Sequence, residues 1–162
     1  YGVRPDATIG LRYFSAAAAQ GHRGAITDLG FYYSQVIIDL PKADRYFLAG
    51  AQCGNIDAQV ELGLNYEFGR GVPRDRQRAL YWLRTAAPHW GQAALAADWL
   101  QRPDTPHFQN ADQLGTYIGR RTGRITSITS SHGPMPNTPG CYRSLNPGCS
   151  SDPNSAAYQH NH

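Results

Sequence analysis

Four arginines, Arg70, Arg74, Arg76 and Arg78, crowd around the glycine pair of Gly69-Arg70-Gly71. Glycines and cations together suggest anion chemistry, with backbone amides closing on a phosphate. A phosphate loop of that kind needs a buried strand before it and a Lys-Ser/Thr pair to grip phosphate and metal. Neither stands in this sequence. The stretch therefore reads as a turn, and its arginines as a solvated face or a surface for an acidic protein partner. A second basic cluster is formed by Arg120, Arg121 and Arg124. Nucleic acid is not expected as a partner, because the net charge is only +3 and Asp75 interrupts the first run.

The other reactive side chains are sparse. His160 and His162 stand two residues apart without further ligands nearby, and His22, His89, His107 and His132 show no metal spacing. No histidine pairs predictably with a carboxylate and a nucleophile. We expect no catalytic residue, no metal and no cofactor. Of the three cysteines, Cys53 reads as a small buried hydrophobe. Cys141 and Cys149 lie in a Gly/Pro/Ser-rich stretch, where a disulfide between them would close a small, stiffening loop.

The elements around these residues repeat. Leu29-Gly30-Phe31-Tyr32-Tyr33 stands 33 residues before Leu62-Gly63-Leu64-Asn65-Tyr66, with Ala25 and Ala58 each four residues ahead of the leucine. Gly2-Val3, Asp6, Tyr13, Ala17 and Ala18 stand 69 residues before Gly71-Val72, Asp75, Trp82, Ala86 and Ala87. Ala43, Tyr46 and Ala51 stand 36 residues before Ala79, Trp82 and Ala87, so the loop of the middle copy is three residues shorter. A fixed period of this length is the mark of a stacked array.

Each unit predicts two helices. Ala58, Leu62 and Tyr66 recur every fourth residue and share one helical face. Gly69 and Gly71 stop that helix, and Pro73 and Asp75 start the next, proline being tolerated in a first turn and aspartate suited to an N-cap. The second helix carries Ala79, Trp82, Leu83, Ala86 and Ala87 as its apolar stripe. The expected repeat core is Leu29, Tyr33, Tyr46, Leu62, Tyr66, Ala79, Trp82 and Ala86, with Trp82 and Tyr66 buried between the two helices.

The series Leu62-Gly63, Tyr66, Gly69, Gly71-Val72, Asp75, Ala79, Trp82 and Ala86-Ala87 resembles the Sel1-like repeat, a relative of the tetratricopeptide repeat. The flanking copies depart from it: Gly10 stands where Ala79 predicts alanine, and Gly50 where Ala86 does. The resemblance implies an all-α fold, a short right-handed α-solenoid of helix-turn-helix repeats that binds other proteins and carries no shared catalytic residues. Some cysteine-rich proteins of this kind are hydrolases acting on cell-wall or β-lactam material. Those have paired cysteines in every repeat, whereas Cys53 stands alone.

Repeats are expected over 1–102, with Leu95, Trp99 and Leu100 making a capping helix before Pro103. A linker and weak helix follow over 103–124, running from about His107 to Arg121 with Leu114, Tyr117 and Ile118 as its apolar side. Residues 125–162 change character, since Ser, Thr, Asn, Pro and Gly make up 22 of the 38. Such a segment cannot bury enough apolar surface to fold alone, so we expect an extended arm ordered on a surface. That surface is either its own repeats or another protein; we expect the second. The sequence has no apolar run long enough for a membrane span, and an opening on Tyr1 in mid-motif suits a processed or a truncated chain. With the expected disulfide, these features point to the bacterial periplasm. The expected role is a non-catalytic accessory subunit whose concave helical face and 125–162 arm dock on a larger protein, membrane-associated through that partner.

Overall fold

A computed structural model describes residues 7–20, 24–123 and 128. Among them there are seven α-helices and no strand, as expected of an all-α repeat protein. The chain divides between Asn55 and Ile56 into two compact units.

The first unit holds α1 (Ala7–Ala19), α2 (Ala25–Tyr32) and α3 (Leu40–Gln52). Helix α2 packs on both α1 and α3. Ala18, Ala25 and Leu29 form its buried centre, flanked by Phe14, Ala17 and Tyr46. The departure at Gly10 has a steric cause, because a methyl group there would stand 2.7 Å from the Tyr32 ring. A π-helical turn, Tyr33–Ile37, replaces the glycine turn in this unit. It ends on Ile38, whose φ of 62° is left-handed. Asp39 then caps α3, its carboxylate accepting the Lys42 amide at 3.2 Å.

The second unit holds α4 (Ile56–Phe68), α5 (Arg76–Ala86), α6 (Gly91–Gln101) and α7 (Ala111–Thr122). Gly69 and Gly71 end α4 with φ of 67° and 77°, a conformation in which a Cβ is strained. Asp75 caps α5, accepting the Arg78 amide at 3.0 Å. Pro73, expected in the first turn, lies two residues ahead of that cap instead. The helix expected from His107 begins at Ala111, since Asn110 accepts the Gln113 amide at 2.9 Å while the Gln113 side chain accepts the Gln109 amide at 2.9 Å. This reciprocal arrangement is a capping box shifted out by one residue, and it sets where the helix starts.

Helix α7 is no loose cap in a linker. Leu114 and Ile118 are fully buried in one core with Val60 and Leu64 of α4, Leu83 and Ala86 of α5, and Ala93, Ala96, Ala97 and Leu100 of α6. Ile128 joins that core at 2% exposure. The expected extended arm therefore contributes at least one residue to the protein's own fold.

Candidate functional site

The basic loop is tied to the fold through its arginines. Glu67, in the last turn of α4, is 0% exposed, and its carboxylate accepts from Arg74 at 2.8 Å and from Arg76 at 2.6 Å. Arg76 places a second nitrogen 3.2 Å from the other Glu67 oxygen. Arg74 also meets the His107 ring, joining the turn to the segment ahead of α7. Arg78 lies over the Tyr66 ring at 5.5 Å and donates to its hydroxyl at 3.3 Å; that bond, the largest cause, raises the guanidinium pKa further above its ordinary value. The expected basic face is thus solvated only in part: Arg74, Arg76 and Arg78 satisfy groups of the fold while keeping 34%, 34% and 46% of their side-chain surface exposed, and Arg70 is exposed as well. A buried carboxylate without cations would be strongly destabilising, which is why the arginines turn inward.

The expected core residues divide by helix. Leu29, Tyr33, Leu62, Tyr66, Ala79 and Ala86 are buried. Trp82 and Tyr46 are only half-buried, and the inward position belongs to the following residue, Leu83 and Phe47. The same offset appears in α1, where Tyr13 is exposed and Phe14 is half-buried. One residue turns a helix by about 100°, so stripes centred one place apart face different neighbours. Trp82 instead packs edge-on against Tyr81 at 5.0 Å, and Tyr46 stacks on Tyr33 at 5.3 Å.

Two surfaces remain open. On α1, Ile9 and Tyr13 are 51% and 73% exposed and line a recess with Arg12 and Ala16. On the second unit, Arg102 lies 4.0 Å over the Trp99 ring and Arg121 lies 3.9 Å over the Tyr117 ring. The sequence reading did not connect these four. Their only signal was an arginine four residues after Tyr117 and another three after Trp99.

Among the described residues no three His, Cys, Asp or Glu side chains could hold a metal, and no helix is long and apolar enough to cross a membrane. Cys53 is buried at the C-terminal end of α3. The expected Cys141–Cys149 disulfide and the His160–His162 pair lie outside the described residues.

Residues 1–22 and 56–87 match the family model of the Sel1 repeat. The chain carries Sel1 repeats. No solved structure matches it. The second match covers α4, the glycine turn and α5. A similar helix pair lies between the matches, in α2 and α3, where Gly30 meets the Phe47 ring as Gly63 meets Leu83. Sel1 repeats are helical solenoid units that generally mediate protein–protein interaction and are generally non-catalytic.

Proposed function

We propose that this Sel1-repeat chain is a non-catalytic accessory subunit of a larger periplasmic, membrane-associated complex, a bacterial dehydrogenase being one example. Its concave helical face and the 125–162 arm dock on the partner. The observation that carries the reading is the exposed face of α1. Ile9, Tyr13 and Ala16 fall at i, i+4 and i+7, so they form one stripe along the helix. A solvated helix rarely spends a tyrosine and an isoleucine there, and such a stripe beside Arg12 suits an apolar-faced helix with an acidic residue opposite the guanidinium. Helix α5, by contrast, is packed by both α4 and α6.

A photo-crosslinking residue at Tyr13, expressed in native membranes, should capture one defined subunit, identified by mass spectrometry. The same residue at Tyr81, which is 62% exposed on α5, should not. Equal capture at both positions, or turnover of a cell-wall or β-lactam substrate by the isolated chain, would replace this reading.

A further inference from the structure

We propose that the α6–α7 edge of the second unit binds an acidic peptide segment, with Arg121 as the principal contact and Arg102 beside it. The inference rests on the interaction-module reading and names the chemistry of the partner.

Trp99 and Tyr117 meet edge to face, 5.6 Å between ring centres at 88°, and Phe108 packs on Tyr117 at 5.0 Å. Each of the first two rings supports a guanidinium. Arg102 covers Trp99 at 4.0 Å, and Arg121 covers Tyr117 at 3.9 Å while standing 6.0 Å from the Trp99 ring. Stacking uses the flat face of a guanidinium and leaves clear of the ring its N–H edge, which grips a carboxylate with two parallel hydrogen bonds; on Arg102 one nitrogen of that edge is taken by Asp98. A side chain already held on a ring also loses less freedom when it binds.

The charges around the pair favour an anion. Arg102 donates to Asp98 at 2.9 Å, both side chains being substantially exposed. No carboxylate partner of Arg121 is found among the described residues, and Arg120 beside it is exposed. Asp112, in the first turn of α7, lies about 13 Å along the helix from these arginines, at 1.5 Å per residue. The carbonyls ending α7 carry roughly half a negative charge, which two arginines exceed. Single-stranded nucleic acid is disfavoured, because bases would have to stack on ring faces that the guanidiniums already cover and Trp99 is itself buried.

The test is fluorescence anisotropy on the full chain with three labelled probes: an alternating Glu-Gly peptide, its Gln-Gly counterpart and an oligothymidylate. The Glu-Gly peptide should bind and the other two should not. Arg121→Ala should weaken binding roughly tenfold, the scale of one charge-assisted pair. Arg121→Lys should also weaken it, because the charge remains while the fork is lost. Tyr117→Leu, which keeps the arginine and removes its support, should do the same at unchanged helicity, and Arg84→Ala on α5 should change nothing. Failure of the Glu-Gly peptide to bind, equal losses from Arg84→Ala and Arg121→Ala, or preference for the oligothymidylate would overturn the proposal. Loss of peptide binding with the Tyr13 crosslink retained sinks this inference alone. The reverse sinks the accessory-subunit reading alone.

Discussion

Leu83 of α5 lies against the bare backbone of Gly63 in α4, so closely that a methyl group on Gly63 would stand 2.9 Å from Leu83 Cγ and 3.2 Å from the Ala79 carbonyl oxygen. In the first unit the same relationship joins Gly30 to Phe47, whose ring would be 2.7 Å from such a methyl. Each repeat therefore sets a glycine of its first helix against the bulky residue of its second, and the two backbones approach because one partner has no side chain.

Gly63→Ala should destabilise the protein despite alanine's better helix propensity. Overpacking costs about 1–3 kcal/mol and the propensity gain is about 1 kcal/mol, so a net loss of roughly 1 kcal/mol is expected in urea unfolding. Leu83→Ala should cost about 2–5 kcal/mol, and more than Trp82→Ala, because Leu83 is fully buried and Trp82 is not. The opposite order would return Trp82 to the core.

Removing both cations from Glu67 should be worse than removing either. Arg74→Ala or Arg76→Ala alone leaves one guanidinium on the buried carboxylate. The double variant leaves none, and an uncompensated buried charge costs about 3–5 kcal/mol. Glu67→Gln in that background should recover part of the loss. Additive single and double effects in a mutant cycle would show that the two arginines act independently.

Ile38→Gly should stabilise. Ile38 adopts a φ of 62° at a position 33 residues before Gly71, whose φ is 77°. A β-branched residue in the left-handed region is strained by about 1–2 kcal/mol, partly offset by the chain entropy glycine adds to the unfolded state. The expected result is a small rise in melting temperature. A fall would mean that the exposed Ile38 side chain makes contacts that outweigh the strain.

Truncation should separate anchor from arm. A 1–124 chain lacks Ile128 and should melt lower than a 1–130 chain, since emptying a fully buried isoleucine site costs about 2–5 kcal/mol. Both should lose partner binding if the later residues form the docking arm. In the full chain, thiol labelling should find Cys141 and Cys149 bridged and Cys53 reduced, reacting only on unfolding because it is buried. Free thiols at both tail positions would remove the argument for the periplasm.

What the sequence determined by itself is local. The helix pairs, the left-handed turn at Gly69 and Gly71 and the aspartate cap at 75 all follow from interactions within a few residues, so spacing and residue type suffice to place them. The buried leucine and tyrosine of each first helix were legible for the same reason, since a four-residue period defines a face. Which face of the second helix turns inward was decided only by tertiary structure. Choosing between Trp82 and Leu83 depends on where Gly63 leaves room, and that room lies on another helix. The arginines of the loop show the same limit: nothing near Arg74 and Arg76 marks them as partners of a buried Glu67, because the cost of burying a carboxylate arises only when α4 is packed. Ile128 is the clearest case. Composition reads its neighbourhood as an unsupported arm, while burial of one isoleucine depends on a site built from the helices before it.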